Sequence, residues 1–289
     1  MSRPVPRDVR DLLSDKVALP SPPVVYERLM SVINHPRSGS ADIARVITED
    51  QSLTARLLKV VNSALFSLPH PIESITQAVK VVGTSQVRDL ALATSVMTVF
   101  RDVPEDLIDM RSFWRHSLGC AVVARLIASF RREENVESFF LCGLLHDIGR
   151  LVMYTSAAKE ASMALDMSLD AGAPLHACER AVFRFDHAEV GGALLDEWRL
   201  PETFREAVEF HHRPSRATMF PLETASVHVA DIIVNAARWG SSGEHRVPPH
   251  EPSSWAILGL HVSLLPRMME KAEHQLEQVI GLTPGARAQ

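Results

Sequence analysis

Apolar residues recur every three to four positions along most of the chain, and this period is the strongest constraint on the fold. One helical face of SLTARLLKVVNSALF carries Leu53, Leu57, Leu58, Val61 and Leu65. Alternation with a period of two is scarce, so strands are not expected. Ser74 and Gln77 form a capping-box pattern before a segment that ends at Gly83. The sequence therefore predicts an all-α fold.

The helical segments fall into two packed parts. Residues 1–108 form a predicted N-terminal helical part, which ends in the polar stretch RDVPEDLIDM. Residues 109–240 form a second helical part, with helices predicted over 112–130, 137–154, 158–171, 175–183, 187–197, 202–211 and 221–239. Residues 241–289 are predicted to comprise a loop and a tail helix over 264–280, with a disordered end over 283–289. The loop, placed at 240–253, is rich in Gly, Ser and Pro.

Composition excludes several classes of protein. The net charge is −5 and no long basic block exists, so binding to nucleic acid phosphates is not expected. No apolar run reaches the roughly 18 residues that a membrane span needs, and the N-terminus lacks an apolar signal segment. Three cysteines without CxxC spacing are interpreted as buried thiols in a reducing compartment: Cys120, Cys142 and Cys178. A cytoplasmic location is therefore predicted.

The stretch LLHDIGR places His146 and Asp147 side by side in an apolar segment. Burying two polar side chains is costly unless they are hydrogen bonded or share an ion. Neighbours on a helix point about 100° apart, so an ion between them needs ligands from other helices. His116 and Asp231, both on apolar helices, are candidates for those ligands. These four residues predict a metal site.

Three further histidines are candidates for a second ion: His187, His211 and His212. Imidazole and carboxylate ligands without thiolate suit a divalent metal, and we expect one or two ions of Fe, Mn, Zn or Ni. Structural interpretations remain open as well. His211 and His212 follow a helix end, where a charged imidazole is favourable. His228 precedes Asp231 by one helical turn and is a candidate for its hydrogen-bond partner.

The order of these residues resembles the HD superfamily of metal-dependent phosphohydrolases. The later histidines resemble the HD-GYP branch, which hydrolyses cyclic di-GMP at a multi-metal site. The N-terminal half is similar to an HDOD domain, most specifically in DQSLTARLLKVVNSALF, and the similarity spans roughly residues 15–235. This resemblance implies a bacterial signalling and regulatory module with N-terminal HDOD-specific helices and a C-terminal HD-type helical domain. Such modules are commonly considered non-catalytic.

Two departures from the HD-GYP pattern weigh against cyclic di-GMP hydrolysis. No DGxGYP-like stretch follows His212, and Arg150 stands where the phosphohydrolases often carry lysine after HDIG. An arginine stays charged but can still contact a phosphate. If the chain is an enzyme, the resemblance implies that Asp147 orients the attacking water or accepts its proton.

Three functional hypotheses follow. The favoured one is a regulatory HDOD module that binds a protein partner or a nucleotide-like ligand and retains a metal site. The alternative is a metal-dependent phosphohydrolase acting on a nucleotide or a cyclic dinucleotide. A third interprets residues 40–66 as a DNA-binding helix–turn–helix, which the negative net charge disfavours.

Overall fold

The computed structural model describes residues 8–13, 21–35, 38–66, 68–100 and 103–282. These residues form helices joined by turns and contain no strand, which confirms the predicted all-α class. The N-terminal helices are Val9–Leu13 (α1), Val24–Ile33 (α2), Ser40–Thr48 (α3), Gln51–Val61 (α4), Ile75–Val82 (α5) and Thr84–Val96 (α6). The predicted disorder at 283–289 lies outside the described residues.

Most of the remaining helices follow the predicted segments closely. They are Met110–Arg131 (α7), Val136–Leu145 (α8), Ile148–Ser156 (α9), Ala158–Ala171 (α10), Leu175–Phe183 (α11), His187–Glu197 (α12), Glu202–Glu209 (α13), Pro221–Ala237 (α14), Pro252–Leu258 (α15) and Leu265–Val279 (α16). The loop after α14 ends at Glu251, slightly earlier than predicted, because Pro252 starts a short helix.

One predicted helix is wrong, because the segment 137–154 is broken at His146 and Asp147. Asp147 has φ −97° and ψ 9°, in the sparsely populated region between helix and strand where many active-site residues lie. The Arg150 N–H then donates to Asp147 O at 2.9 Å and starts α9. His146 Nε2 and Asp147 Oδ2 therefore lie 3.2 Å apart. On a regular helix the two side chains would point in different directions, which opposes such a contact.

Helix α7 lies at the centre of the molecule and packs against α8, α14 and α16. It is buried along most of its length, from Phe113 to Ala128. One continuous apolar cluster joins residues of the N-terminal helices to residues of α7, α8 and α9. The two helical parts thus share a core, and the boundary near residue 108 stays a prediction. Within the described ranges, no helix has the length and apolarity needed to cross a bilayer.

Two glycines allow helices to touch backbone to backbone around the HD segment. A Cβ on Gly149 would lie 2.0 Å from His187 O and 2.6 Å from Gly191 N, so α9 and α12 meet there without side chains between them. A Cβ on Gly143 would lie 2.6 Å from Cys120 O, where α8 crosses α7. Only glycine permits such approaches. They bring the helices that carry the candidate ligands together.

Candidate metal centre

The structure brings the seven predicted ligand side chains together in the interior. They project from α7, the α8–α9 break, the start of α12, the turn after α13, and α14. Four have no exposed surface: His116, His146, His187 and His211. Asp147 and Asp231 expose only 2% and 5% of their surface, and His212 is half-buried.

The first group of ligand atoms surrounds His116 Nε2. This atom lies 3.3 Å from His146 Nε2, 3.4 Å from Asp147 Oδ2 and 3.3 Å from Asp231 Oδ1. His146 Nε2 lies 3.2 Å from Asp147 Oδ2 and 3.6 Å from Asp231 Oδ1. Ligand atoms at about 2.0–2.2 Å from one ion are spaced about 2.8–3.6 Å apart. The four residues can therefore hold one ion, and we name them the first site.

The second group surrounds His187 Nε2. This atom lies 2.9 Å from Asp147 Oδ1, 3.3 Å from His211 Nε2 and 3.1 Å from His212 Nε2. We name these three histidines and Asp147 Oδ1 the second site. Asp147 turns one oxygen to each site. This is the arrangement of a carboxylate that bridges two metal ions.

Hydrogen bonds at Nδ1 orient three of the imidazoles. His146 Nδ1 lies 2.8 Å from Gly143 O, and His211 Nδ1 lies 2.7 Å from Val208 O. His187 Nδ1 lies 2.6 Å from Glu179 Oε2. If each Nδ1–H donates there, Nε2 presents its lone pair to the centre, as metal-binding histidines do. Such a convergence of lone pairs can hold a divalent cation once the imidazoles are neutral.

Two residues next to the centre were not predicted from the sequence. Glu179 accepts the His187 N–H at 2.9 Å and faces the His187 ring. Cys120 Sγ lies 3.7 Å from His116 Nε2. Cys120 follows His116 by one helical turn on α7, and this spacing could have identified it from the sequence as a neighbour of the centre. Burial, followed by Asp231 and Asp147, raises the pKa of the Cys120 thiol well above its usual range. In the metal-free protein Cys120 is therefore protonated.

The predicted hydrogen bond between His228 and Asp231 is wrong. His228 Nδ1 pairs with His211 O at 2.7 Å, and His228 Nε2 accepts the Glu251 N–H at 3.0 Å. Asp231 Oδ1 instead accepts from Asn235 Nδ2 at 2.7 Å. The turn after α13 places His211 O within hydrogen-bond distance of His228 Nδ1. His228 thus supports the backbone of a candidate ligand.

The structure also contradicts a charged imidazole cap at His211 and His212. Burial, followed by the neighbouring histidines, holds the pKa of both side chains well below the usual range. Both rings are therefore neutral at physiological pH, and neutral imidazole is the form that binds metals.

Arg150 is enclosed beside the centre and exposes 2% of its surface. Its Nη1 donates to Asp147 Oδ2 at 3.2 Å and to Ser242 Oγ, and its Nε donates to Glu179 Oε1 at 3.3 Å. The predicted phosphate contact stays a prediction, and these contacts favour a role in positioning Asp147 and Glu179. The role of Asp147 as a catalytic base also stays a prediction.

The family model described as the HDOD domain matches residues 19–214. The chain belongs to the HDOD family. A sequence relative, an uncharacterized protein of Treponema pallidum, is 29% identical over 206 residues. The match covers 71% of the HDOD chain but 39% of the Treponema protein, so the chain spans well under half of that relative.

Solved structures show the same fold. An HDOD domain protein of unknown function from Geobacter sulfurreducens has a TM-score of 0.76 at 24% identity, with 97% of each chain covered. A candidate phosphohydrolase from Shewanella amazonensis SB2B has a TM-score of 0.72 at 24% identity, over 94% of this chain and 98% of that one. A candidate signal transduction protein from Marinobacter aquaeolei VT8 has a TM-score of 0.73 at 17% identity, over 97% of this chain and 67% of that one. At these identities the likeness establishes the fold alone.

Charges inside this HDOD centre are strongly coupled in the metal-free protein. Burial would lower the pKa of His146, but the Asp147 and Asp231 carboxylates outweigh it and raise the pKa to about 10. Burial and Arg150 lower the pKa of His187, but Glu179 and Asp147 raise it to about 9. Burial would raise the pKa of Asp147, but Arg150, His146 and His187 hold it well below its usual range. Protons therefore compete with a metal ion for the same lone pairs.

Metal affinity should rise with pH, because His146 must lose its proton before Nε2 can bind an ion. Below the His146 pKa of about 10, we expect the Kd for Mn²⁺ to fall about tenfold per pH unit for each proton released. Calorimetric titration at neutral and mildly alkaline pH, in buffers of different ionisation enthalpy, counts these protons. An affinity that does not change with pH would contradict the assigned charge state.

Proposed function

We propose that this chain is a regulatory HDOD module whose metal centre supports structure and signalling rather than hydrolysis. The observation that carries the proposal is the closure of the centre, because six of the seven candidate ligands expose at most 5% of their surface. A catalytic metal needs an open position for water and a path for the substrate. A closed ligand set instead fits an ion that holds helices together.

Residues 240–246, which we name the covering loop, pack next to this centre. Ser242 is fully buried and contacts Arg150. Further bonds join the loop to α7, α9 and α11: Ser241 N–H to Ser112 Oγ at 2.9 Å, Tyr154 OH to Ser242 O at 3.0 Å, and Leu175 N–H to Glu244 Oε2 at 2.7 Å. The loop thus joins three helices beside the centre, which supports a closed state.

A groove where α6 leads into α7 is the candidate site for a partner. Its volume of about 670 Å³ lies in the range of ligand sites. Its described lining is largely apolar and includes Phe100 and Trp114, with the Glu105 and Asp109 carboxylates and no basic side chain. Two carboxylates disfavour a phosphate-bearing ligand and complement a basic segment. We therefore favour a protein partner with an apolar, basic segment over a nucleotide-like ligand.

The second candidate function is a metal-dependent phosphohydrolase. The observation that favours it is Asp147, whose Oδ2 faces the first site and whose Oδ1 faces the second. Two ions bridged by a carboxylate can stabilise both the attacking and the leaving oxygen when a phosphoryl group is displaced. This arrangement requires both sites to be filled and open to a phosphate.

A turnover and binding experiment separates the two functions. We expect protein supplied with Mn²⁺ to hydrolyse bis(p-nitrophenyl) phosphate no faster than Mn²⁺ alone, because the ligands are closed to the substrate. Calorimetry with ATP and with cyclic di-GMP should show no binding. Hydrolysis that is present in the wild type and lost in His146→Ala would overturn the regulatory proposal and support the phosphohydrolase.

A further inference from the structure

We propose that Arg150 is a built-in cation that restricts the metal centre to one divalent ion, held at the first site. This inference rests on the proposed metal centre and specifies how many ions it takes. The observation behind this inference is the buried Arg150 guanidinium, a positive charge that cannot itself coordinate a metal ion. It has a functional consequence, because chemistry that needs two ions is then unavailable to the centre.

The contacts of Arg150 place its charge against the carboxylate that both sites share and against a second-site ligand. Its Nη1 lies 3.2 Å from Asp147 Oδ2, the oxygen that this shared carboxylate turns to the first site. Its Nε lies 3.3 Å from His187 Nδ1 and 3.3 Å from Glu179 Oε1. His187 belongs to the second site, and Glu179 orients His187. The guanidinium therefore touches the shared ligand and the back of a second-site ligand.

The formal charges of the buried centre balance with a single divalent ion. Three carboxylates lie at or beside the ligands: Asp147, Asp231 and Glu179. The Arg150 guanidinium offsets one of them, so two negative charges remain when the histidines are neutral. One divalent ion neutralises these charges, whereas a second would leave excess positive charge in a buried space, where charges interact strongly.

The nearby carboxylate of Glu244 is left out of this count because its hydrogen bonds are to backbone groups and to none of the candidate ligands. It accepts hydrogen bonds from the backbone N–H groups of Leu175, His245 and Arg246. These donors hold the Glu244 side chain within the covering loop and at the start of α11. Its oxygens are therefore engaged by these backbone groups and are not offered to an ion as ligands.

A single ion should occupy the first site. That site combines two imidazoles with carboxylate oxygens of Asp147 and Asp231. The second site offers three imidazoles and only the shared carboxylate of Asp147. Since a divalent ion gains more from two carboxylates than from one, the first site binds the ion more strongly.

The covering loop prevents the guanidinium from moving away. Arg150 Nη1 contacts Ser242 Oγ, and Tyr154 OH fixes Ser242 O at 3.0 Å. The next residue, Gly243, has φ +107°, and a Cβ there would lie 2.4 Å from Tyr154 OH. Because arginine also keeps its charge at any physiological pH, its effect on the centre is permanent.

The test compares ion stoichiometry in variants that keep or remove this charge. Wild type, Arg150→Lys and Arg150→Gln are dialysed against excess Mn²⁺ and desalted, and the Mn content per chain is measured by elemental mass spectrometry. We expect one ion in the wild type and one in Arg150→Lys, but more than one in Arg150→Gln, because loss of the guanidinium charge raises the affinity for a second ion. Electron paramagnetic resonance provides a second readout, because two neighbouring Mn²⁺ ions couple and weaken the signal per bound ion in Arg150→Gln.

Each alternative outcome has a distinct meaning. Two ions in the wild type, or one ion in a folded Arg150→Gln, would overturn this inference and leave the metal centre itself intact. No ion in the wild type would overturn the metal centre of the proposed function. If Arg150→Gln does not fold, His187→Ala and His116→Ala test the assignment. We expect the first variant to keep its ion and the second to lose it, and the reverse would overturn the inference.

Discussion

Replacing Asp147 with alanine will lower the free energy of unfolding of the metal-free protein by about 3–5 kcal/mol, the typical cost of breaking a buried ion pair. Asp147 exposes 2% of its surface and pairs with Arg150 at 3.2 Å and with His187 at 2.9 Å. Without the carboxylate, the Arg150 guanidinium stays buried with less compensation. Urea denaturation in the presence of a chelator measures the effect.

Two further variants make this result specific. Asp166→Ala removes an exposed carboxylate on α10 and should change stability by less than about 0.5 kcal/mol. Asp147→Asn keeps the shape but not the charge, and it should lose most of what Asp147→Ala loses. An Asp147→Ala variant as stable as Asp166→Ala would show that the centre is not a tightly coupled charge cluster.

Replacing Gly149 with alanine will destabilise the protein by about 3 kcal/mol or more, at or beyond the upper end of usual overpacking costs. The new Cβ would lie 2.0 Å from His187 O, and backbone atoms cannot rotate away as a side chain can. Helices α9 and α12 would have to separate, which displaces His187 from Asp147. Chemical denaturation measures the loss of stability, and Mn²⁺ titration measures the damage to the centre.

The matched control is Gly39→Ala, because a Cβ on Gly39 would meet nothing within 4 Å. Gly39 precedes α3, where alanine is only a poorer cap than glycine, so we expect a cost of about 1 kcal/mol or less. Equal stability of Gly149→Ala and the wild type would mean that the two helices do not approach as closely as described.

The helical class and most helix bounds could be predicted from the sequence because they depend on local apolar periodicity. The break at His146 and Asp147 could not be predicted in this way. Apolar residues continue on both sides of the pair, so the periodicity alone predicts an uninterrupted helix. The break depends on the backbone of Asp147, whose ψ of 9° leaves the helical range.

Contacts between distant parts of the chain explain the other differences. The sequence predicts a pair between His228 and Asp231 because one helical turn separates them, but His211 O contacts His228 from the turn after α13. Glu179 and Ser242 showed no local signal, since their importance arises from contacts with His187 and Arg150. Composition predicts a loop over 240–253, but only the tertiary structure shows that the loop packs beside the centre.

The metal content of the purified protein tests the central claim most directly. Elemental mass spectrometry is applied to the wild type, to His146→Ala/Asp147→Asn, and to His274→Ala, which removes an exposed histidine on α16. We predict about one divalent ion per chain in the wild type and in His274→Ala, and none in the double variant. A wild type that stays empty after Fe, Mn, Zn and Ni are supplied would contradict the account and leave the cluster as a hydrogen-bonded network only.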